Sequence, residues 1–132
     1  MKSLINVNLI SYINGYLQKK KYSSLFLFLL SVSSSSIIYF YLKNEILIYN
    51  DSRSHLNISR RIIDNLTPGL AQLGGTWLPL YHLLVLPFIW NNFLYHSGLA
   101  GSIVSGIAYI GASIYIFKIL EQFVKSKIAL LG

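Results

Sequence analysis

The sequence predicts an all-α membrane protein, in which two transmembrane helices are joined by an outer loop with amphipathic and interfacial helices. Of the 132 residues, 54% are hydrophobic and only 11% are charged, well below the ~25% charged residues of soluble domains. Two almost uncharged stretches are long enough to cross a hydrocarbon core of about 30 Å. Basic residues cluster outside both stretches, which under the positive-inside rule indicates cytoplasmic ends.

Residues 1–23 are predicted to form a cytoplasmic leader ending in the basic cluster Lys19-Lys20-Lys21. Residues 24–42 follow as the first transmembrane helix, because Leu25 to Leu42 carries no charge and reaches about 27 Å as a helix. The serines inside it are expected to bond back to the helix backbone. A cleaved signal peptide is the alternative, but the lead is long and no clear small-x-small stop follows.

Residues 43–97 are predicted to be an outer loop that begins with a helix. Asp51 or Ser52 is expected to cap this helix, and Leu56, Ile63 and Leu66 to form its apolar face. The helix should end at Thr67-Pro68-Gly69, since proline cannot continue it.

The second half of the loop is predicted to lie in the membrane interface. The apolar run 77–90 is too short to span a bilayer and contains two prolines. Trp77 and Trp90 mark its ends and are expected at the depth of the lipid headgroups.

Residues 98–120 are predicted as the second transmembrane helix. Small residues recur in it at spacings of three and four, forming a stripe on which another helix can pack closely: Gly98, Gly101, Ser105, Ala108 and Ala112. Bulkier residues such as Ile110 and Phe117 lie off the stripe and are expected to face lipid. Residues 121–132 are expected to be a cytoplasmic tail and the start of an incomplete third span.

The net charge of +7 also admits nucleic-acid binding. That alternative is disfavoured because no basic or aromatic-basic surface stands apart from the apolar segments. The chain has no cysteine, so disulfides and thiolate metal sites are excluded. No glycine-rich phosphate loop and no G-x-S-x-G nucleophile elbow are present.

Asp51 is the candidate catalytic residue. It is one of four acidic residues and follows the first apolar run, where a carboxylate near the hydrocarbon boundary is costly for packing alone. A general base and a helix N-cap are both open interpretations. His55, four residues later, lies on the same side of the helix, as a substrate ligand or as an ordinary surface histidine.

Arg60 and Arg61, with Arg53, are candidates for binding lipid phosphate, because guanidinium groups match phosphate oxygens. Nonspecific attraction to headgroups is the alternative. Asp64 is expected to pair with Arg60 or Arg61 along the helix. His82 is a further candidate for substrate binding or a structural histidine, and the histidine spacing matches no recognised metal motif.

An ordered set of residues in this region resembles multispanning GT-C glycosyltransferases related to the protein O-mannosyltransferases. The resemblance covers roughly residues 45–120. It rests on Asp51, His55-Leu56-Asn57-Ile58, Arg60-Arg61-Ile62, Asp64, Thr67-Pro68-Gly69, Gln72-Leu73-Gly74, Trp77-Leu78-Pro79-Leu80, His82-Leu83-Leu84 and Leu99-Ala100-Gly101-Ser102.

The resemblance implies an enzyme that moves a sugar from a polyprenyl-phosphate carrier to an acceptor hydroxyl at the outer face of the membrane. It implies that Asp51 is the essential acid of the first outer loop, with Arg60 and Arg61 as phosphate contacts. Family members are several times longer, so the chain is expected to be an N-terminal part, with N-terminus cytoplasmic.

The partners expected are membrane lipid, a polyprenyl-phosphate-linked sugar and, if the transferase is split, its remaining half; nucleic acid is not expected. No cofactor is predicted, and the sequence does not decide whether a divalent metal is needed. The alternative function is a non-catalytic membrane subunit or degenerate fragment that packs with other helices. A secreted lipid-binding peptide would require cleavage near Ser36.

Overall fold

The computed structural model describes residues 2–73 and 79–124. The described residues form helices and connecting turns without strands, which confirms the predicted all-α class. This part of the chain contains five α-helices and one 3-10 turn: α1 Lys2–Leu42, α2 Asn50–Arg61, the 3-10 turn Leu70–Leu73, α3 Pro79–Ile89, α4 Asn92–Ser97 and α5 Leu99–Phe123.

Two segments, Gly15–Leu42 within α1 and Leu99–Phe123, are long and apolar enough to cross a membrane by length and composition. Helix α1 runs without a break from the leader through this apolar segment. The Ser31 hydroxyl donates to the carbonyl of Leu27 at 2.9 Å, the back-bonding expected of a serine in an apolar helix.

Helix α1 ends in a left-handed turn at Asn44, whose φ is +58°. The backbone N–H of Asn44 donates to the carbonyl of Tyr41 at 3.0 Å, and that of Glu45 donates to Phe40 at 2.9 Å. This pair of bonds is the Schellman arrangement, which satisfies the last carbonyls of a helix, and asparagine tolerates the left-handed position. The turn ends α1, and a short connection leads from it to α2, which begins at Asn50.

The chain divides into two compact units. The described part of the first contains residues 2–32 and 110–124. In it, Lys21 forms an ion pair with Glu121, and the Tyr22 hydroxyl donates to Glu121 at 2.8 Å. Phe117 is buried with its ring edge-on to Tyr22 at 6.0 Å, and Ile110 is buried too. The expectation that Phe117 and Ile110 face lipid is therefore wrong, because α1 packs over this side of α5.

The second unit contains residues 33–109 and holds the largest group of buried apolar side chains described. Its core is built by α2, α3 and α5, from Leu56, Val85, Ile89, Ala100 and Val104. Burying a side chain of the Leu, Ile or Val class stabilises a fold by about 1.5–3 kcal/mol. This core fixes α2 against α3.

Helix α2 is shorter than predicted, and it begins one residue before Asp51. The N-cap position is Tyr49, and it makes no side-chain cap bond. The helix ends at Arg61, where the backbone N–H groups of Ile62 and Ile63 donate to the carbonyls three residues back, those of Ser59 and Arg60, a tightening that is common at helix ends. Leu66 lies beyond the helix and is 99% exposed, so its predicted place on the apolar face is wrong.

The small-residue stripe on α5 is only partly in contact. A β-carbon at Gly101 would lie 2.5 Å from the Tyr81 hydroxyl oxygen of α3, and one at Gly106 would lie 2.7 Å from the Ser33 Oγ of α1. Ala108 and Ala112 are exposed. Trp90 is exposed after α3, whereas Trp77 and most of the predicted third-span start lie outside the described residues.

Candidate functional site

Helices α2 and α3 bring together three of the five predicted site residues. Asp51 stands in the first turn of α2, and its side chain is 65% exposed. His55 follows one turn later, with its Nε2 atom 3.7 Å from the Asp51 Oδ2 atom. On the other side, the Nδ1 atom of His55 lies 2.9 Å from the Nε2 atom of His82 on α3. The three side chains thus form a row that runs from the surface to the interior.

The row exists because of the core beneath it. Asp51 and His55 are four residues apart and share one side of α2, which is held down by Leu56. His82 shares the buried face of α3 with Val85 and Ile89, at spacings of three and four residues. The same packing that buries these apolar side chains therefore carries His82 to His55.

Asp51 is not used as a helix cap. The helix begins at Asn50, and the carboxylate makes no cap hydrogen bond in the described structure. A carboxylate in the first turn still benefits from the positive end of the helix dipole. The capping explanation of Asp51 is therefore not supported. Its carboxylate is largely exposed, with His55 beside one of its oxygens.

His82 is fully buried. Burial lowers the pKa of its imidazole, and the neighbouring His55 lowers it further, since a second positive charge nearby disfavours protonation. The ring is therefore held neutral near pH 7. Its Nδ1 atom has no hydrogen-bond partner among residues 2–73 and 79–124.

Tyr81 is a part of this site that the sequence analysis did not single out. Its ring stands edge-on to His55, with 5.4 Å between the ring centroids, and its hydroxyl is the atom that Gly101 accommodates. Burial raises the pKa of Tyr81, partly offset by a hydrogen bond with Ser105. In the sequence, only its position directly before His82 pointed to Tyr81. Its place in the site depends on the close approach of α5 at Gly101, which the sequence does not show.

Arg60 is engaged with the protein itself. Its guanidinium group donates to the carbonyl of Ile89 at 2.7 Å, to Asn92 Oδ1 at 2.9 Å and to Asp64 at 3.2 Å. It also lies over the ring of Tyr95, 5.2 Å from its centroid. The predicted ion pair of Asp64 is thereby confirmed with Arg60 as partner. These contacts tie the end of α2 to the segment joining α3 and α4.

Arg61 differs from Arg60 in being exposed. It lines an open cavity of about 350 Å³ together with Asn57, Asp64 and Tyr95. The Tyr95 hydroxyl donates to Asn57 at 2.6 Å, which shapes one wall. Both predicted phosphate contacts line this cavity, but Arg60 is already engaged by acceptors of the protein itself, so Arg61 is the more accessible of the two.

Within the described residues, no three histidine or acidic side chains converge closely enough to hold a metal ion. The row therefore offers one exposed carboxylate backed by two imidazoles. Such an arrangement can accept a proton at the carboxylate and keep that carboxylate in a defined orientation.

A scan against protein-family models, a search of curated proteins and a search of solved structures gave no match to this chain.

Proposed function

We propose that this chain supplies the acid-bearing outer loop of a membrane glycosyltransferase, which moves a sugar from a polyprenyl-phosphate carrier to an acceptor hydroxyl. The observation that carries the proposal is the state of Asp51. Its carboxylate is exposed, plays no capping role and is backed by the His55–His82 pair. The resemblance to GT-C transferases implies an essential acid at this same position.

The proposed membrane arrangement follows from the two apolar segments. Both would cross the bilayer with their basic ends in the cytoplasm, so residues 43–97 would face outward. Helix α3, with eleven residues, is too short to cross and would lie at the outer interface. The row of Asp51, His55 and His82 would then stand where a lipid carrier and a water-soluble acceptor can meet.

The proposed reaction is a single displacement at the anomeric carbon of the sugar. Asp51 takes the proton of the acceptor hydroxyl while the hydroxyl oxygen forms the new bond to that carbon. The bond from the anomeric carbon to the phosphate oxygen breaks, and polyprenyl phosphate leaves with the electron pair. Arg61 lies ten residues further along α2, about 15 Å at about 1.5 Å per residue, so it would act on this departing phosphate through its charge and without direct contact.

Replacing Asp51 with asparagine tests the proposal, because the amide keeps the shape and removes the basic oxygen. Membranes that contain the protein at its native level would be supplied with a radiolabelled sugar donor, polyprenyl-phosphate mannose. Loss of a general base typically lowers the rate by 10²–10⁴-fold. We expect sugar transfer to fall by about that factor with membrane insertion intact.

Glu45→Gln is the matched control, since it makes the same acid-to-amide change in the loop before α2, at a residue that belongs neither to the row nor to the cavity beside Arg61. It should retain transfer. Equal transfer by wild type and Asp51→Asn would refute the catalytic role. Carriers bearing glucose and galactose, tested in parallel, would identify the sugar.

A second candidate function, a non-catalytic subunit, is favoured by one observation. Large apolar side chains on α5, including Tyr115, Ile119 and Phe123, are exposed, as in a helix that meets other helices or lipid. Wild-type membranes without any transfer from the three carriers would favour this subunit over the enzyme.

A further inference from the structure

The pairing of His55 and His82 restricts where their protons can lie. A neutral imidazole carries one N–H and one bare nitrogen, and a hydrogen bond made by one nitrogen sets the state of the other. The Nδ1 atom of His55 and the Nε2 atom of His82 are 2.9 Å apart, so one of them donates and the other accepts. Burial and the adjacent His55 hold the pKa of His82 low, so His82 has only one proton to place.

When both rings are neutral, two proton arrangements satisfy this bond. In the first, His55 donates from Nδ1, and the proton of His82 must then be on its own Nδ1. That atom is buried and has no partner among the described residues. The same arrangement leaves the Nε2 of His55 as a bare lone pair facing the Asp51 carboxylate 3.7 Å away.

In the second arrangement, His82 donates from Nε2 and its Nδ1 is a bare acceptor. A buried acceptor without a partner is tolerated more often than a buried N–H without one. His55 then accepts at Nδ1 and carries its proton on Nε2, which faces the negatively charged oxygen of Asp51. Both the buried end and the exposed end of the row therefore favour this arrangement.

We infer that His82 is a positioning residue: its Nε2–H donates to His55 Nδ1, and this fixes the His55 proton on Nε2, where it is directed at the Asp51 carboxylate. The 3.7 Å separation is longer than a direct hydrogen bond of about 2.7–3.2 Å. A rotation of the exposed Asp51 side chain would close it. One carboxylate oxygen would then be held by His55 and the other would remain open.

The catalytic consequence of this inference rests on the proposed function, whereas the proton arrangement does not. If Asp51 is the base, a carboxylate held by one oxygen presents the other in a constant orientation to the acceptor hydroxyl. A loss of alignment near 1 Å is enough to slow a reaction about 100-fold. His82 would thus act on the reaction through His55, without touching the substrate.

Nitrogen-15 and carbon-13 NMR of labelled histidine tests the arrangement in the full chain reconstituted in lipid nanodiscs. Only three histidines are present, and His96→Gln leaves the two of interest. We expect both His55 and His82 as the Nε2–H form, with a coupling through the hydrogen bond between His82 Nε2 and His55 Nδ1. A His55 ring protonated on Nδ1 would overturn the inference.

Two variants at position 82 separate positioning from packing. Glutamine keeps an amide N–H near the place of Nε2, whereas leucine fills the buried space without a donor. His55 should keep its wild-type ratio of Nε2–H to Nδ1–H forms in His82→Gln. In His82→Leu, where only Asp51 still favours Nε2–H, the share of the Nδ1–H form should rise. An unchanged His55 in His82→Leu, with backbone signals preserved, would contradict the inference. Spectra of either ring that change on adding a chelator would contradict it also, since the nitrogens would then bind a metal.

Transfer from polyprenyl-phosphate mannose supplies the second readout. His82→Leu should lower kcat on the order of 10-fold or more with KM little changed, and His82→Gln should recover part of the loss. If wild type shows no transfer but the Nε2–H form is found, the proposed function fails and the inference stands. If transfer depends on Asp51 but His55 is protonated on Nδ1, the inference fails and the function stands.

Discussion

At the scale of single residues, Arg60 and Arg61 are adjacent and chemically identical, yet they have different surroundings. Arg60 donates to a backbone carbonyl, an amide and a carboxylate. Arg61 is exposed beside a cavity. Lysine has one compact charged group in place of the planar fork and cannot reach several fixed acceptors together.

Arg60→Lys is therefore expected to destabilise the fold by about 1–3 kcal/mol, because it leaves the carbonyl of Ile89 and the side chain of Asn92 without their donor. Arg61→Lys should change the free energy of unfolding by no more than about 0.5 kcal/mol, as for most surface substitutions. Chemical unfolding in detergent micelles, followed by circular dichroism, measures both. Equal losses in the two variants would contradict the structural role of Arg60.

The buried His82 predicts a direction for the pH dependence of stability. Its folded pKa is lowered relative to about 6.5 in an unfolded chain, so below that pH the unfolded state binds more protons than the folded state. The stabilisation is complete above about pH 6.5 and declines as the pH falls. Unfolding in micelles between pH 7.5 and 5.5 should show this decline, and His82→Gln should weaken it. An NMR titration that finds His82 protonating at or above pH 6.5 would contradict it.

The sequence predicted part of this site. Asp51 and His55 stand four residues apart, so their shared face follows from helical periodicity alone. His82 lies 27 residues further along the chain, and its contact with His55 depends on how α3 packs on α2. No spacing rule contains that information, because it comes from the joint burial of Leu56, Val85 and Ile89.

At the scale of elements, composition and hydropathy were enough to predict the helical class and the two long apolar helices. Element ends and helix faces were less predictable. Helix α2 stops at Arg61 because the next two backbone N–H groups bond to carbonyls three residues back in place of four. Such a change depends on a few local contacts, which hydrophobic periodicity does not describe. Phe117 is buried because α1 covers it, which a stripe of small residues alone does not reveal.

Two glycines of α5 provide a test of helix contact. A β-carbon at Gly106 would meet Ser33 Oγ at 2.7 Å and Ile37 Cδ1 at 3.3 Å, whereas one at Gly111 meets nothing within 4 Å. Alanine favours a helix over glycine by about 1 kcal/mol. Gly111→Ala should therefore raise the unfolding free energy, and Gly106→Ala should raise it less or lower it. Thermal unfolding in micelles compares the two, and an equal gain would show that α1 does not pack at Gly106.

At the scale of the whole molecule, the proposed membrane topology makes a prediction about access. The chain contains no cysteine, so single cysteines report without background. Leu66 is 99% exposed in the proposed outer loop, while Gln18 and Gln122 are exposed on the proposed cytoplasmic side. On intact cells, a membrane-impermeant maleimide should label Leu66→Cys and leave Gln18→Cys and Gln122→Cys unlabelled until the cells are opened. The reverse pattern would overturn the orientation and remove the outer-face reaction.

The unbroken course of α1 has a mechanical consequence. The stretch from Lys2 to Lys19 lies in the same helix as the apolar segment and measures about 26 Å at about 1.5 Å per residue. Because one helix continues through both, the stretch would act as a lever in the proposed membrane arrangement. A change of about 10° in the tilt of the apolar segment, within the tilt range of spanning helices, would move Lys2 by roughly 5 Å. A spin label near Lys2 would therefore report a small change of tilt as a displacement large enough to measure.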